Sequence, residues 1–558
     1  MVWSRVRGSV RDRRDRRRDG SHVSDARLVS LVRGELGDRP SATVVVLGSG
    51  RRGLVDALVA ASPTWTVVEA ATDADERQVQ LTLLDPIDAI IDVPSKEGRL
   101  FRFRTVFFHV RAHGLYVVPG GAVELGPGRG KLGDHLASAA ALAEEPLRGG
   151  RLRSIAANAL LAVRMHVQAT ADGEDLVLRH DLPDVLAKLD EPQTSAWIER
   201  SGHGHRILST IPAEDPPSAA VITEVPVLRE PPMDRAINRA DLTLRDYRDV
   251  VVDVEQLVIA ERVLPAETYR HHQNARLVNR GVVDVGPRLG VPQRPVRDDL
   301  PRLEGTFVHL DNEVRGHFGH LMTETLSRVW TWQAALAIDP GVRALMSRAR
   351  GRPEIADWEY HFYETCGIPR DRIVKIDSAV RVERLLSGTP MLSNPEYVHP
   401  RIAQTWDEVG DRLAAEAGRT EWPRRIFIAR RIAKRACDNA DVVERMFADR
   451  GFEIVYPEDL SLGDQVAMFR SAEVVAGFAG SGMFQIAFVP HPIHVIQVGS
   501  SSYTPRNEVL MAAVRGHRID SVVCATVASN RVQAGFTFDV DAEGPALLKV
   551  LDGLPPLS

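Results

Sequence analysis

The sequence predicts an α/β protein containing more than one parallel, doubly wound sheet, and three observations carry that prediction. A β-branched run, Thr43–Leu47 (TVVVL), opens directly onto Gly48-Ser49-Gly50-Arg51-Arg52-Gly53 and then an apolar-periodic stretch, the order strand, glycine turn, helix. From Arg425 onward, four short apolar runs alternate with three amphipathic stretches. The chain of 558 residues, 44% hydrophobic and 26% charged, allows roughly two to four domains that each bury a core of their own.

Charge and cysteine content exclude several classes. A net charge of −5 gives no chain-wide attraction to nucleic acid, and none is expected as a partner. Three scattered cysteines, Cys366, Cys437 and Cys524, cannot frame a disulfide scaffold or a four-thiolate zinc site, which points to a reducing, cytoplasmic compartment. The first twenty residues hold eight arginines against three aspartates with no apolar stretch behind them. Residues 1–24 therefore read as a basic tail, solvated or weakly drawn to anionic lipid at the inner face of a membrane, and not as a secretory signal.

Residues 25–150 form the first predicted domain. After the glycine turn, a second strand at 66–68 ends on Glu69, where a doubly wound sheet sets an acid for ribose hydroxyls. Gly48, Gly50, Gly53 and Glu69 are thus a candidate nucleotide or cofactor site, although glycines there also serve close packing of helix on strand. Further strands are expected at 89–93 and 115–118. The stretch HVRAHGLYVVPGG that contains the last of these resembles the late strand region of S-adenosylmethionine-dependent methyltransferases. The resemblance implies a methyltransferase-like fold. Without an Asp or Lys constellation between Glu69 and Pro119, a non-catalytic domain is the expected form and S-adenosylmethionine an outside ligand.

Residues 151–219 read as a helical appendage and linker, and the proline-rich stretch 211–232 as the boundary of a second globular region, 220–558. Within it, the run from Asp311 to Leu326 (DNEVRGHFGHLMTETL) places His317, His320 and Glu324 at i, i+3 and i+7, one face of a helix near its start. A histidine beside a carboxylate can serve as a general base, with Asp311 as a further candidate. The same three side chains could instead be a capped helix start, or a metal site of a hydrolase, but a further ligand at a metal-binding spacing is missing and none is expected.

In the last third, strands are expected at 425–429, 452–455, 473–477 and 493–498, with helices at 441–450, 462–470 and 481–488 between them. In such a sheet ligands sit beyond the carboxyl ends of the strands. Two features fall there: Arg430, Arg431 and Arg435 after the first strand, and Gly480-Ser481-Gly482 running into a helix start. Guanidinium groups clamp phosphates, and bare amides of a glycine turn accept their oxygens. Together they describe a nucleotide-diphosphate site.

The blocks HFGHLMTETLSR at 317–328, IFIARRIAKRACDN at 426–439, GFEIVYPEDLSLGDQVAMF at 451–469 and the segment 474–489 resemble, in this order, glycosyltransferase family 61, a capsular-polysaccharide-biosynthesis type of domain, over about 220–520. The resemblance implies a GT-B architecture, an acceptor lobe at 220–415 facing a donor lobe at 420–520. It further implies inverting, metal-independent transfer from a nucleotide-sugar to a glycan or lipid-linked glycan. By the same resemblance His320 and Glu324 match catalytic positions, and Arg430, Arg435, Asn439, Glu458, Gln465, Gly480, Ser481 and Gly482 match donor-binding ones. Three positions depart: His317 and Gln485 stand where Asn is common, and Ala479 where the loop histidine usually stands. A non-catalytic scaffold of a polysaccharide-assembly complex is the competing expectation.

Overall fold

A computed structural model describes residues 25–556 apart from 38, 49, 128, 150–152, 217–221, 226–235, 273–275, 350–353, 432–434, 504–505 and 526–533, with 222–225 as backbone. The arginine-rich tail lies outside the described residues. The chain is mixed α/β and divides into two compact units, one of residues 25–203 with 259–298, the other of residues 204–258 with 299–556.

The first unit is built on one sheet whose strands lie in the order Thr66–Glu69, Thr43–Leu47, Ile87–Asp92, Val110–Val118, Asp175–His180, Val167–Asp172. The first four are parallel; the last two are an antiparallel hairpin on Val110–Val118. Phe103, Phe107, Tyr116 and Leu178 fill one side of this sheet. The segment 151–219, expected as helical appendage and linker, contributes two helices, Ile155–His166 and Glu191–Ser201, but also strands, of which Val167–Asp172 and Asp175–His180 lie in this sheet. Their turn is Gly173-Glu174, with Gly173 at φ +57°. The unit also draws in 259–298, which the sequence assigned to the second region. Val282–Gly286 and Leu289–Pro292 join Leu186–Lys188 in a small sheet, where fully buried Lys188 meets Asp284 Oδ1 at 2.5 Å and the Leu277 carbonyl at 3.0 Å.

Among the described residues the second unit holds two large sheets and a two-stranded one, Leu392–Ser393 with Tyr397–Val398. In one large sheet, Leu242–Asp253, Val380–Gly388, Arg302–His309, Arg343–Ser347 and Ile373–Ile376 lie side by side, parallel except for the first pair. The other is parallel throughout, in the order Glu453–Val455, Arg425–Ile428, Val474–Phe478, His494–Ser500, Arg518–Cys524, Ile222–Val225. The stretch read as a proline-rich boundary therefore supplies the edge strand of this second sheet. One apolar core, including Trp332, Trp406, Ile428, Met483 and Phe488, draws on residues of both large sheets. Strand order in the parallel sheet reverses between Arg425–Ile428 and Val474–Phe478, the switch point where a doubly wound sheet opens a crevice beyond its strand ends.

Candidate functional site

The crevice at this switch point is a cavity of ≈ 690 Å³. Its parallel-sheet wall comprises Ile428, Ala429, Arg430 and Arg435 from one strand end, Phe478, Ser481 and Gly482 from the next, and Pro457, Glu458, Leu460 and Gln465 from the loop and helix beyond Glu453–Val455. Across from them stand His317, Phe318 and Trp358.

The opposite wall begins where His317 caps a short helix, Phe318–His320, its Nδ1 accepting from the Gly319 amide at 3.2 Å. His317 thus precedes the helix and does not ride on it. The helix then widens into a π turn over Leu321–Thr325 and tightens to a 3₁₀ turn over Leu326–Arg328. His320 Nδ1 meets Glu324 Oε1 at 2.5 Å across this turn, an arrangement that fixes the ring. The His317 and His320 rings stand edge to face with centroids 5.0 Å apart, and it is His317 that lines the cavity. Gly319 permits the close approach of the two walls, since a Cβ there would come within 2.8 Å of Ser481 Cβ.

On the facing wall, the Arg430 guanidinium donates to the Ala479 carbonyl at 2.8 Å and lies 5.6 Å from the Phe478 ring centroid. Burial, and then the neighbouring Arg435 charge, lower its pKa to about 10. Arg435 sits at φ +57°, a left-handed conformation a long side chain adopts only under constraint, and stacks on the Tyr503 ring at 4.1 Å. Two guanidinium groups are thus held together by carbonyl and ring contacts, and neither is salt-bridged to a carboxylate among the described residues; Arg431 nearby is, bidentately, to Asp459 at 2.5 and 2.7 Å. Gly480 follows at φ +142°, and a Cβ there would meet Arg435 Nη2 at 3.1 Å. Its N–H donates to Glu508 Oε1 at 3.0 Å, so the amides at the open end of the turn Ser481–Phe488 are those of Ser481 and Gly482. The arrangement suits a phosphate-bearing ligand.

Several predicted residues have other work. Asp311 is buried, its Oδ1 accepting from Ser347 Oγ at 2.9 Å and its Oδ2 from the Gln256 amide at 3.2 Å, so it braces the strand end and is not a base at the cavity. Asn439 exchanges hydrogen bonds with Phe538, at 2.8 and 2.9 Å, and pins that segment instead of facing the cavity. His317, His320 and Glu324 do not form a metal-ligand trio, and no group of three or more such side chains does so among the described residues. Ala479 turns its side chain toward Gly499, where an added Cβ would lie 2.8 Å away, so the residue at this departure packs on the next strand. In the first unit, Glu69 Oε1 accepts from the Gly50 amide at 3.1 Å, and Gly48 at φ +104° leaves room for Val93.

Phe318, Trp358, Tyr503 and Glu508 entered the site without a sequence prediction. Trp358 and Phe318 lie 6.2 Å apart between ring centroids on an apolar side of the cavity. Gln485, a departure, pairs with Gln465, whose Nε2 also donates to the Pro457 carbonyl at 2.8 Å.

Residues 318–496 match the model of the family Glycosyltransferase 61. The match supports a glycosyltransferase domain over this stretch, which holds His320, Glu324, Arg430, Arg435 and Gly480 to Gly482 and is shorter than the 220–520 of the motif resemblance. No curated protein matches the chain. Among the described residues of the whole chain, no helix is long and apolar enough to cross a membrane.

Proposed function

We propose that this family-61-like domain is an inverting, metal-independent glycosyltransferase that moves a sugar from a nucleoside-diphosphate donor to a hydroxyl of a glycan or lipid-linked glycan, in the assembly of a cell-surface or capsular polysaccharide. The observation that carries the proposal is the pair Arg430 and Arg435, unsalt-bridged among the described residues and set beside the Ser481 and Gly482 amides at a switch-point cavity. Two fixed guanidinium charges and two amides supply the compensation for a departing diphosphate that a divalent ion supplies elsewhere.

The reaction is a single displacement. The acceptor oxygen bonds to the anomeric carbon as the bond from that carbon to the diphosphate oxygen breaks, and the hydroxyl proton passes to His320 Nε2. Glu324, on Nδ1 at 2.5 Å, stabilises the imidazolium that results. His317, on the cavity wall in front of His320, shapes the approach of the acceptor. Phe318 and Trp358 offer flat apolar faces for a sugar ring or a base.

The first unit is proposed as a methyltransferase-like, non-catalytic domain, because the Gly50 amide that would greet a cofactor is held by Glu69. Transfer assays on the full chain with a panel of nucleotide-sugars and a soluble glycan acceptor, in the presence of a chelator, test the proposal. Turnover that survives chelation supports it; donor turnover that appears only with added divalent ion contradicts the metal-independent mechanism.

A further inference from the structure

Glu508 lies beneath the phosphate-facing turn, outside the stretch of the family match. It is fully buried on the helix Arg506–Arg515. Its Oε1 accepts from the Gly480 amide at 3.0 Å and from the Tyr503 hydroxyl at 3.5 Å, while Oε2 is buried with no hydrogen-bond partner among the described residues. The Arg435 guanidinium stacks on the Tyr503 ring at 4.1 Å, and Arg435 Nε is likewise buried without a partner among the described residues. A carboxylate with one unpartnered oxygen and a guanidinium with an unpartnered Nε, both among the described residues, therefore share one tyrosine.

We propose that Glu508 is a positioning residue of the diphosphate site: it holds the Gly480 turn through the peptide N–H, and it takes up a proton when a diphosphate settles on Arg430 and Arg435, so that donor binding and proton uptake are coupled. The proposal rests on the reading of those two arginines as diphosphate ligands. The groups that face Glu508 are Arg435, Tyr503 and the Gly480 amide, with the Arg430 charge behind them. An arriving diphosphate draws the field of both guanidiniums toward itself and adds negative charge near a carboxylate whose Oε2 has no hydrogen-bond partner among the described residues. Burial already lifts the Glu508 carboxyl to about 7, so a modest further push protonates it. Protonation leaves Oε1 able to accept from Gly480, and the turn keeps its shape.

Glu508→Gln tests this, since glutamine mimics the protonated acid and keeps the acceptor for Gly480. Calorimetric titration of the full chain with inorganic pyrophosphate is run from pH 5.5 to pH 9 on wild type, Glu508→Gln and Arg435→Ala. The variant should bind about ten-fold tighter than wild type at the alkaline end, with the ratio falling toward one at the acid end; ligand protonation cancels in that ratio. A ratio that does not change with pH overturns the proposal, and if Arg435→Ala still loses pyrophosphate the diphosphate site itself stands. No pyrophosphate binding to wild type overturns both. Should Glu508→Gln not fold, Tyr503→Phe removes the hydroxyl that steadies the carboxylate. The pH above which pyrophosphate affinity declines should then move upward, and an unmoved profile overturns the proposal.

Discussion

Two glycine turns in this chain follow a strand of a doubly wound sheet, and in both a glutamate accepts from a glycine amide: Glu69 from Gly50 at 3.1 Å, Glu508 from Gly480 at 3.0 Å. The turns differ in what surrounds that contact. At the first, Arg51 lies 3.6 Å from Asp25, and the next strand end is tied up by Arg102, buried against Asp92 at 2.5 Å. At the second, two guanidiniums without salt bridges among the described residues face a cavity of ≈ 690 Å³. Amides in a glycine turn recur in such folds; positive charge not tied into a salt bridge, over an open crevice, is what separates a binding site from a packing device.

The largest effect that would break this comparison is on turnover. His320→Ala should lower kcat on the order of 10²–10⁴-fold while pyrophosphate affinity survives, whereas His317→Ala should mainly raise the acceptor KM. A reversed pattern would make His317 the base. Next in size is donor affinity. Arg430→Ala or Arg435→Ala removes a charged hydrogen-bond donor worth about 1.5–3 kcal/mol, roughly 10–100-fold in Kd by calorimetry, and Arg51→Ala in the first unit should leave that Kd unchanged.

A smaller contrast is conformational. Gly480→Ala meets both φ +142° and Arg435 Nη2 at 3.1 Å, and should lose about 1–3 kcal/mol in urea unfolding together with donor affinity. Gly50→Ala, at φ +79° with nothing within 4 Å, should cost about 1 kcal/mol and leave donor binding intact. The smallest effect is a pH slope. Because the folded-state pKa of Glu508 is raised to about 7, the native state holds its proton more tightly than the unfolded chain does. That contribution to stability is full below the ordinary carboxylate range and is lost as pH rises through 7. Wild type should therefore lose stability relative to Glu508→Gln between pH 5 and pH 8, read as diverging urea midpoints.

Much of the site could be read from residue order. The strand ends that carry Arg430, Arg435 and Ser481 were legible because a parallel sheet writes each buried strand as a short apolar run and each ligand loop directly after it. Glu508 was not, because it is 28 residues beyond Gly480 on a helix whose sequence marks nothing but burial. Asn439 sits in the right motif yet serves a chain segment a hundred residues away, which spacing does not reveal. The hairpin Val167–Asp172 with Asp175–His180 escaped notice because its outer strand is exposed and polar, although Gly173 between the two runs was an available turn signal. The edge strand Ile222–Val225 was obscured by the prolines around it.

The most direct test of the account is the stabilisation of the full-length protein by a nucleoside diphosphate, compared between wild type and the double variant Arg430→Ala/Arg435→Ala. Ligand at a hundred times its Kd should stabilise wild type by about 2.7 kcal/mol and leave the double variant unmoved. Equal stabilisation of both proteins, or stabilisation abolished instead by Glu69→Ala in the first unit, would contradict it.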